Sequence, residues 1–338
     1  MHAIVYDAFG GAARLALVAT PRPGPGEALV RVAAVGVNPA DWKAGAGLLP
    51  FLSAGNLPLI PGFDGAGTVV ALGQGVATLA LGDRLAFMSG LPMGRGGTWS
   101  DYAVCPAEHA VRLPDSLCFA AAAAIPVAGI SAREALQQGG LAARQRVLIN
   151  GGAGGTGSWA IQIARAAGAH VAATARADNH DLMREMGVEC AIDYTGDDVA
   201  ARIATWAPEG VDLLLDTVGQ GSLSDPEALI CNGGRYVAIE TMLPDEALPD
   251  PRRFAARDIV AIRASASFER LHEHLAVLVE AVARREISVP PFETMPLEEA
   301  ADALERVRAG HVRGKLVLLV GQDDERNEPP AATVKDYA

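Results

Sequence analysis

The sequence has few cysteines, no long apolar run and no secretory signature, and each absence excludes a class of protein. Its four cysteines are widely scattered and form no C-x-x-C pair, which argues against a disulfide framework or a structural zinc knot. The longest apolar run, Cys118 to Ile130, is interrupted by Pro126 and is shorter than the roughly 18–20 residues of a membrane span. The N-terminus lacks a basic region followed by an apolar core. We therefore predict a cytoplasmic protein that does not bind membranes.

Positive charge is also scarce. Lys and Arg number 28 against 40 Asp and Glu, and the net charge is −12. No Lys/Arg-rich run is present that would attract a polyanion, so the composition argues against nucleic-acid binding. Lysine occurs only at Lys43, Lys315 and Lys335 in a chain that otherwise uses arginine. With 338 residues, 50% of them hydrophobic, the chain is long enough for two domains.

Two patterns of secondary structure follow one another along the chain. Residues 1 to about 120 contain short strand-like segments between Gly/Pro turns, which is typical of a barrel-like β domain. From Val147 onward strands alternate with helices, and this alternation predicts a parallel sheet with right-handed crossovers. After about residue 260 we predict a strand, two helices and a final strand, at Ile259–Ala264, Leu271–Arg284, Leu297–Ala309 and Lys315–Val320.

A glycine cluster stands between a predicted strand and a predicted helix. Its residues satisfy the pattern G-x-G-x-x-G and comprise Gly152, Gly154, Gly155, Thr156 and Gly157. In this setting one glycine permits a tight turn, one lets the backbone approach a pyrophosphate, and one allows close packing of strand and helix. The helix N-terminus then offers free N–H groups to the phosphates. The cluster therefore predicts a dinucleotide-binding site.

The end of the next strand bears on the choice between NAD and NADP. An acidic side chain about 20 residues after the glycines would accept the ribose 2′-hydroxyl of NAD. This chain has Arg176 there, and a guanidinium matches a 2′-phosphate in charge and geometry. We therefore predict NADP(H). Asp178, two residues further on, keeps NAD open as an alternative.

Several further motifs occur in a fixed order around the glycine cluster. They include "VRVAAVGVNPADWKAG", "PLIPGFDGAGTVVALGQGV", "VDLLLDTVG" and "AGHVRGKLVLL". With these motifs the sequence resembles the medium-chain dehydrogenase/reductase superfamily over about residues 1 to 320. Within the superfamily it is similar to the zinc-free quinone oxidoreductase branch, which is zeta-crystallin-like.

The resemblance implies the fold and the domain boundaries. The expected fold is α/β: a Rossmann doubly wound parallel sheet plus a GroES-like β-barrel domain that the C-terminal segment completes. We assign residues 1–123 to the GroES-like catalytic domain, 124–260 to the Rossmann domain and 261–320 to a return into the catalytic domain. Residues 321–338 form a polar tail. Relatives commonly form dimers or tetramers, so we also expect a homo-oligomer.

The residues that hold catalytic zinc in the related alcohol dehydrogenases are replaced here. Asn38 stands where those enzymes have Cys, and the triplet Gly62-Phe63-Asp64 stands where they have Gly-His-Glu. A catalytic zinc needs three ligands drawn from Cys, His and carboxylates. We therefore predict that the protein binds no metal.

The resemblance assigns roles to residues near the substrate. Asn38 would donate to a substrate oxygen or to the nicotinamide ribose, Asp41 would fix the loop, and Lys43 would supply positive charge or a proton. The alternatives are that Asn38 and Asp41 only cap the loop, that Lys43 extends into water, and that solvent provides the proton.

The same resemblance implies further cofactor contacts. They would come from Ser131 near the nicotinamide, from Tyr194 on the adenosine phosphate side and from Lys315 at the cofactor or inter-domain cleft, together with the turn Thr217, Val218 and Gly219.

These assignments predict an NADPH-dependent reductase that transfers hydride to a quinone or an α,β-unsaturated carbonyl. Such acceptors are already electrophilic, so the reaction needs hydrogen-bond donors for the developing oxyanion but no Lewis acid. The alternatives are a zinc-type alcohol dehydrogenase and an NADPH-binding stress or regulatory protein without its own turnover.

Overall fold

The fold is given by a computed structural model that describes residues 1–219, 221–239, 250–265, 268–310 and 312–321. The predicted tail beyond Gly321 and residues 240–249 lie outside these ranges. The chain forms two compact units. Unit 1 comprises Met1–Ala128, Glu269–Arg285 and the described residues from Val289 onward, and unit 2 comprises Gly129–Phe268 with Glu286–Ser288.

Unit 1 is built around β3, an 11-residue strand rich in Val and Ala whose side chains are buried on both faces over most of its length. Its larger sheet has the order β14-β15-β3-β4-β5-β7, and β6 also pairs with β3. A separate pair joins β1 to β2. The strands are β1 His2–Val5, β2 Arg14–Leu17, β3 Glu27–Val37, β4 Asp64–Leu72, β5 Arg84–Met88, β6 Tyr102–Pro106, β7 Ala110–Arg112, β14 Phe292–Pro296 and β15 Lys315–Leu319.

The helices of unit 1 are short except for the two supplied by the C-terminal part of the chain. They are α1 Pro39–Gly45, α2 Phe119–Ala123, α8 Leu271–Ala283 and α9 Ala300–Ala309. The strand β15 pairs antiparallel with β3, with Leu318 opposite Val35. The C-terminal segment therefore returns to the sheet that the N-terminal residues begin. This placement brings Lys315 to the end of β3.

Unit 2 contains a parallel sheet with the order β10-β9-β8-β11-β12-β13. The middle of its central strands is apolar and fully buried at residues 147–149 and 213–215, as expected for strands that helices cover on both faces. The order reverses between β8 and β11, and ligands of such folds bind at the carboxyl ends of the strands beside this point. The strands are β8 Arg146–Asn150, β9 His170–Ala175, β10 Cys190–Asp193, β11 Val211–Asp216, β12 Ile230–Ile239 and β13 Val260–Ala264.

Helices connect the strands of unit 2. The helix that begins at Val199 is capped by Asp198, whose carboxylate accepts from the Ala201 amide at 3.1 Å. The helices are α4 Gly155–Ala166, α5 His180–Glu185, α6 Val199–Trp206 and α7 Pro251–Ala255, and α3 Pro126–Gln138 contains the division between the two units. No helix within the described ranges is long and apolar enough to cross a membrane.

The expected fold class, a parallel Rossmann sheet with a GroES-like domain, is confirmed. The expected boundary after residue 260 differs from the structure. It falls inside β13, which pairs with β12 through Arg235 opposite Val260, so unit 2 extends to Phe268. The predicted helix at Leu297 is also shorter, because a 3-10 turn precedes α9, which begins at Ala300.

Candidate functional site

The glycine loop of unit 2 joins the end of β8 to the start of α4. At Gly157 an added Cβ would lie 2.1 Å from the carbonyl oxygen of Gly151. At Gly152 it would lie 2.8 Å from the Ala173 Cβ and 2.9 Å from the Met183 Sδ. These two glycines are therefore required by packing inside the protein.

Unlike Gly152 and Gly157, Gly154 is not required by packing inside the protein. Its φ of −77° suits any residue, and an added Cβ would meet only the Gly151 carbonyl oxygen, at an ordinary 3.5 Å. The space beside it fits a group that approaches the backbone from outside the chain. Because the first amides of α4 lack partners within the helix, that group is best an anion, and the pyrophosphate of a dinucleotide fits.

A buried polar network holds the strand ends below this loop. The Asn150 amide nitrogen donates to the Asp216 Oδ1 and to the Ser222 Oγ, both at 2.8 Å, and its Oδ1 accepts from the Thr174 hydroxyl at 2.7 Å. The Thr174 hydroxyl in turn accepts from the Gly151 amide at 3.0 Å. Side chains from three adjacent strands are thus linked by hydrogen bonds, and one of them, Thr174, contacts the first residue of the loop. The sequence pattern did not predict this network, although Asn150, Thr174 and Asp216 are polar residues at or next to the ends of apolar strands.

The turn after β11 is fixed by the same carboxylate. The amides of Val218 and Gly219 both donate to the Asp216 Oδ1 at 3.0 Å, and the Thr217 hydroxyl donates to the Asn150 carbonyl oxygen at 2.7 Å. The Tyr236 hydroxyl donates to the other oxygen of Asp216 at 2.9 Å. The predicted residues Thr217, Val218 and Gly219 therefore lie at the carboxyl edge of the sheet, beside β8.

Arg176 and Tyr194 come together at this edge from adjacent strands. Arg176 follows β9 and is exposed, and its Nε donates to the Tyr194 hydroxyl at 3.3 Å. Tyr194 follows β10 and is half-exposed. Asp178 is also exposed, within the turn after Arg176. Ser131, the remaining predicted cofactor residue of unit 2, is half-buried in α3.

In unit 1 the predicted residues Asn38 and Asp41 lie at the start of α1. Asn38 is the extended N-cap residue, with φ −129° and ψ 155°. Its amide donates to the Asp41 Oδ2 at 2.6 Å, and its carbonyl oxygen accepts from the Asp41 amide at 3.0 Å. The side chain of Asp41 is completely buried. This geometry holds the loop at the helix entrance, and any further role of Asp41 stays a prediction.

The side chain of Asn38 belongs to a second buried group with Asp64 and Lys315. The Lys315 Nζ donates to the Asn38 Oδ1 at 2.6 Å, to the Val37 carbonyl oxygen at 3.1 Å and to the Asp64 Oδ2 at 3.2 Å. These contacts supply one acceptor for each N–H of the ammonium. The ammonium is therefore fully paired within unit 1, and the role of Lys315 toward the cofactor stays a prediction.

Lys43 is buried and does not extend into water. Its Nζ lies 5.5 Å from the centre of the Trp42 ring, and the Arg308 guanidinium carbon lies 5.8 Å from the same centre. Two cations near one indole are consistent with cation–π stabilisation. The side chain is therefore held beside α1, and its role as a source of charge or of a proton stays a prediction.

Burial raises the pKa of Asp41 from its ordinary value to about 8. The donated Asn38 amide opposes this rise, while the nearby Asp64 carboxylate adds to it. The Asp41 Oδ1 has no hydrogen-bond partner among the described residues, which adds to the cost of ionising the group. Burial and the Asp41 charge also raise the pKa of the Tyr6 hydroxyl.

The raised pKa predicts a pH-dependent stability that Asp41→Asn removes. Between pH 4 and 8 the folded protein holds a proton on Asp41 that the unfolded chain has lost, so stability falls as pH rises through this window. We expect the wild type to lose about 2 kcal/mol or more between pH 5 and pH 8 relative to Asp41→Asn. Urea unfolding at both pH values measures this difference, with Asp115→Asn, at an exposed carboxylate, as the control. Parallel pH dependences for wild type and Asp41→Asn would contradict it.

Among the described residues no three His, Cys, Asp or Glu side chains come together in an arrangement able to hold a metal ion. Asn38 and Asp64, which stand at the positions of the zinc ligands in the related alcohol dehydrogenases, contact the ammonium group of Lys315.

Comparisons with known proteins find family matches in both units. Residues 24–115 match the alcohol dehydrogenase GroES-like domain, and residues 186–318 match the zinc-binding dehydrogenase family. The chain is 31% identical over 340 residues to the chloroplast envelope quinone oxidoreductase homolog of Arabidopsis thaliana, covering 94% of this chain and 98% of that protein.

Solved structures with the same fold include proteins described with different cofactors. An NAD-dependent alcohol dehydrogenase superposes with a TM-score of 0.86 at 27% identity, covering 95% of this chain and all of the other. A mycobacterial protein complexed with NADPH superposes with a TM-score of 0.84 at 28% identity, covering 94% of this chain and all of the other. The choice of cofactor must therefore be argued from this chain's own residues.

Proposed function

The chain belongs to the quinone oxidoreductase branch of the medium-chain dehydrogenase/reductase superfamily, and from this premise we propose that it is a zinc-free, NADPH-dependent reductase of quinones or α,β-unsaturated carbonyls. The observation that carries the proposal is the glycine loop, where the space beside Gly154 suits a pyrophosphate. When bound, the nicotinamide cofactor supplies the hydride.

The preference for NADPH is supported by Arg176. This guanidinium stands at the end of β9, where an NAD enzyme of this fold has an acidic residue. Its Nε contacts the Tyr194 hydroxyl, which holds the guanidinium at the exposed edge of the sheet. A 2′-phosphate is recognised well by such a group because the charges are opposite and the N–H groups are arranged in a fork.

The acceptor class is supported by the residues around Asn38. Asn38 provides an amide N–H donor and Lys43 a positive charge, and such groups stabilise an oxyanion that forms as hydride arrives at a conjugated carbonyl. A metal at this position is disfavoured because the Lys315 ammonium already contacts both Asn38 and Asp64. Alcohol oxidation would require a Lewis acid for the alkoxide, so the residues suit an acceptor that is already electrophilic.

A cofactor titration followed by an acceptor panel tests this function. We expect NADPH to bind at least tenfold more tightly than NADH, and NADPH to be oxidised by some of a panel of ortho-quinones, para-quinones and enones. Binding without turnover across the panel would favour a cofactor-binding protein. About one zinc per chain with alcohol-dependent reduction of NAD would favour the alcohol dehydrogenase alternative.

We also propose that the protein acts in the cytoplasm as a homo-oligomer, a dimer or a tetramer, with a small-molecule substrate. These proposals follow from the family resemblance and from the composition, which argues against nucleic-acid and membrane partners.

A further inference from the structure

The carboxamide of Asn38 is held between a buried cation and a buried anion. Its Oδ1 accepts from the Lys315 ammonium at 2.6 Å, and its Nδ2 donates to the Asp64 Oδ2 at 2.8 Å. The exposed fractions of the three residues are 2% for Asn38, 0% for Asp64 and 4% for Lys315. Water therefore does not compete for these contacts.

The chemistry of the two neighbours decides which way the amide points. An ammonium only donates hydrogen bonds and a carboxylate only accepts them, so the amide oxygen must face Lys315 and the amide nitrogen must face Asp64. If the amide were flipped, N–H groups would face the ammonium and the carbonyl oxygen would face the carboxylate. Both contacts would be repulsive in a site without water, so one orientation is strongly preferred.

The Asp64 carboxylate is itself fixed by the backbone. Its Oδ1 accepts from the Val127 amide at 2.8 Å, while its Oδ2 receives both Asn38 and Lys315. The Asn38 backbone is also fixed, through its N–H bond to Asp41. Rotation of the Asn38 side chain is therefore restricted from both ends.

This arrangement leaves one N–H of the Asn38 amide for another acceptor. Among the described residues only Asp64 accepts from the Asn38 Nδ2, although the group carries two hydrogens. Because the amide is planar, fixing one N–H bond also fixes the direction of the other. The second N–H is thus a preorganised donor.

A contribution to stability does not by itself explain why Lys315 and Asp64 form a buried ion pair. Removing two charges from water is costly, and apolar residues of similar size are often as stabilising as a buried ion pair. The pair does, however, give the amide a defined direction, which apolar residues cannot do.

We propose that Lys315 and Asp64 are positioning residues that orient the Asn38 carboxamide so that its second N–H donates to the carbonyl oxygen of the substrate. The inference rests on the proposed function, because it gives that donor a reductase substrate. It assigns to Lys315 an effect on the acceptor through Asn38.

A mutant cycle tests whether the pair acts through Asn38. The variants are Asn38→Ala, the paired change Lys315→Met with Asp64→Asn, and the combination of all three. The paired change removes both charges together, so no buried charge is left alone. With phenanthrenequinone as acceptor and saturating NADPH, we expect kcat to fall at least tenfold in Asn38→Ala and in the paired variant, with the KM for NADPH changed less than twofold.

The triple variant decides between action through Asn38 and an independent effect. If the pair acts through Asn38, kcat in the triple variant will match that of Asn38→Ala within about twofold. Multiplied losses, or wild-type kcat in the paired variant, would overturn the proposal. Unfolding in urea confirms that each variant tested is folded.

A second measurement does not depend on turnover. In protein labelled with ¹⁵N-asparagine, the side-chain signals of Asn38 are those that disappear in Asn38→Ala. We expect two well-separated, slowly exchanging Nδ2 protons in the wild type, and faster exchange in the paired variant. An unchanged Asn38 signal in the paired variant would overturn the proposed positioning. Absence of turnover with every acceptor would instead contradict the proposed function, while this measurement still decides the orientation.

Discussion

Replacing Arg176 with Asp is expected to weaken NADPH binding about a hundredfold or more while changing NADH binding less than about threefold. The substitution removes a guanidinium and puts a carboxylate beside the 2′-phosphate, so an attraction becomes a repulsion between like charges. A hundredfold change corresponds to about 2.7 kcal/mol. NADH carries a 2′-hydroxyl, which a carboxylate accepts from, so its binding loses little.

The location of Arg176 makes this effect specific. Arg176 is exposed at the end of β9 and is not part of the packed core, so we expect its replacement to leave the sheet unchanged. Its Nε donates to the half-exposed Tyr194 hydroxyl at 3.3 Å. The Tyr194 contact positions the guanidinium, and we expect the glycine loop to keep its structure when this contact is lost.

Cofactor titrations by fluorescence at constant ionic strength measure both affinities. Arg144→Asp is the matched control, because it makes the same change of charge in the same unit. Arg144 is exposed, precedes β8 and so lies at the opposite edge of the sheet, and its φ of 66° is one that Asp tolerates. Equal losses for NADPH and NADH in Arg176→Asp, or a comparable loss of NADPH binding in Arg144→Asp, would refute the 2′-phosphate assignment.

Replacing Gly157 with Ala is expected to destabilise the protein by about 3 kcal/mol or more, whereas Gly154→Ala is expected to leave its stability within about 0.5 kcal/mol. At Gly157 the new Cβ would lie 2.1 Å from the Gly151 carbonyl oxygen, a backbone atom that cannot move without separating α4 from the loop. At Gly154 the Cβ meets only ordinary van der Waals contact.

In the folded protein, the effect on NADPH affinity should have the reverse order. We expect Gly154→Ala to weaken NADPH binding more than Gly157→Ala does. A methyl group at Gly154 occupies the space that we assign to the pyrophosphate, so we expect NADPH binding to weaken at least tenfold. Urea unfolding and NADPH titration of both variants separate these effects. If Gly154→Ala binds NADPH as the wild type does, the pyrophosphate does not approach the backbone at this position.

The fold class could be predicted because its signals are local in sequence. Apolar segments of strand length, turn residues and helical periodicity each depend on neighbours a few residues away. The boundary near residue 260 could not be predicted in the same way. Val260–Ala264 joins unit 2 through pairing with β12, and such pairing leaves little trace in a strand that is largely exposed.

The cofactor site could be predicted in part for the same reason. The glycines and the strand before them are contiguous, and Arg176 follows at a spacing set by one helix and one strand. The network of Asn150, Thr174 and Asp216 was not anticipated, because single polar residues at strand ends carry no distinctive pattern. Their meaning depends on the strand order, which places β8 between β9 and β11.

By itself the sequence determined that the chain has a β domain and a nucleotide-binding sheet, and where the glycine loop lies. Only the tertiary structure showed that Lys315 contacts Asn38 and Asp64. Lys315 stands 277 residues from Asn38 and 251 from Asp64, and it reaches them because β15 pairs with β3. A hydrogen-bonded group of this kind is defined by distance in space, and spacing along the chain contains no record of it.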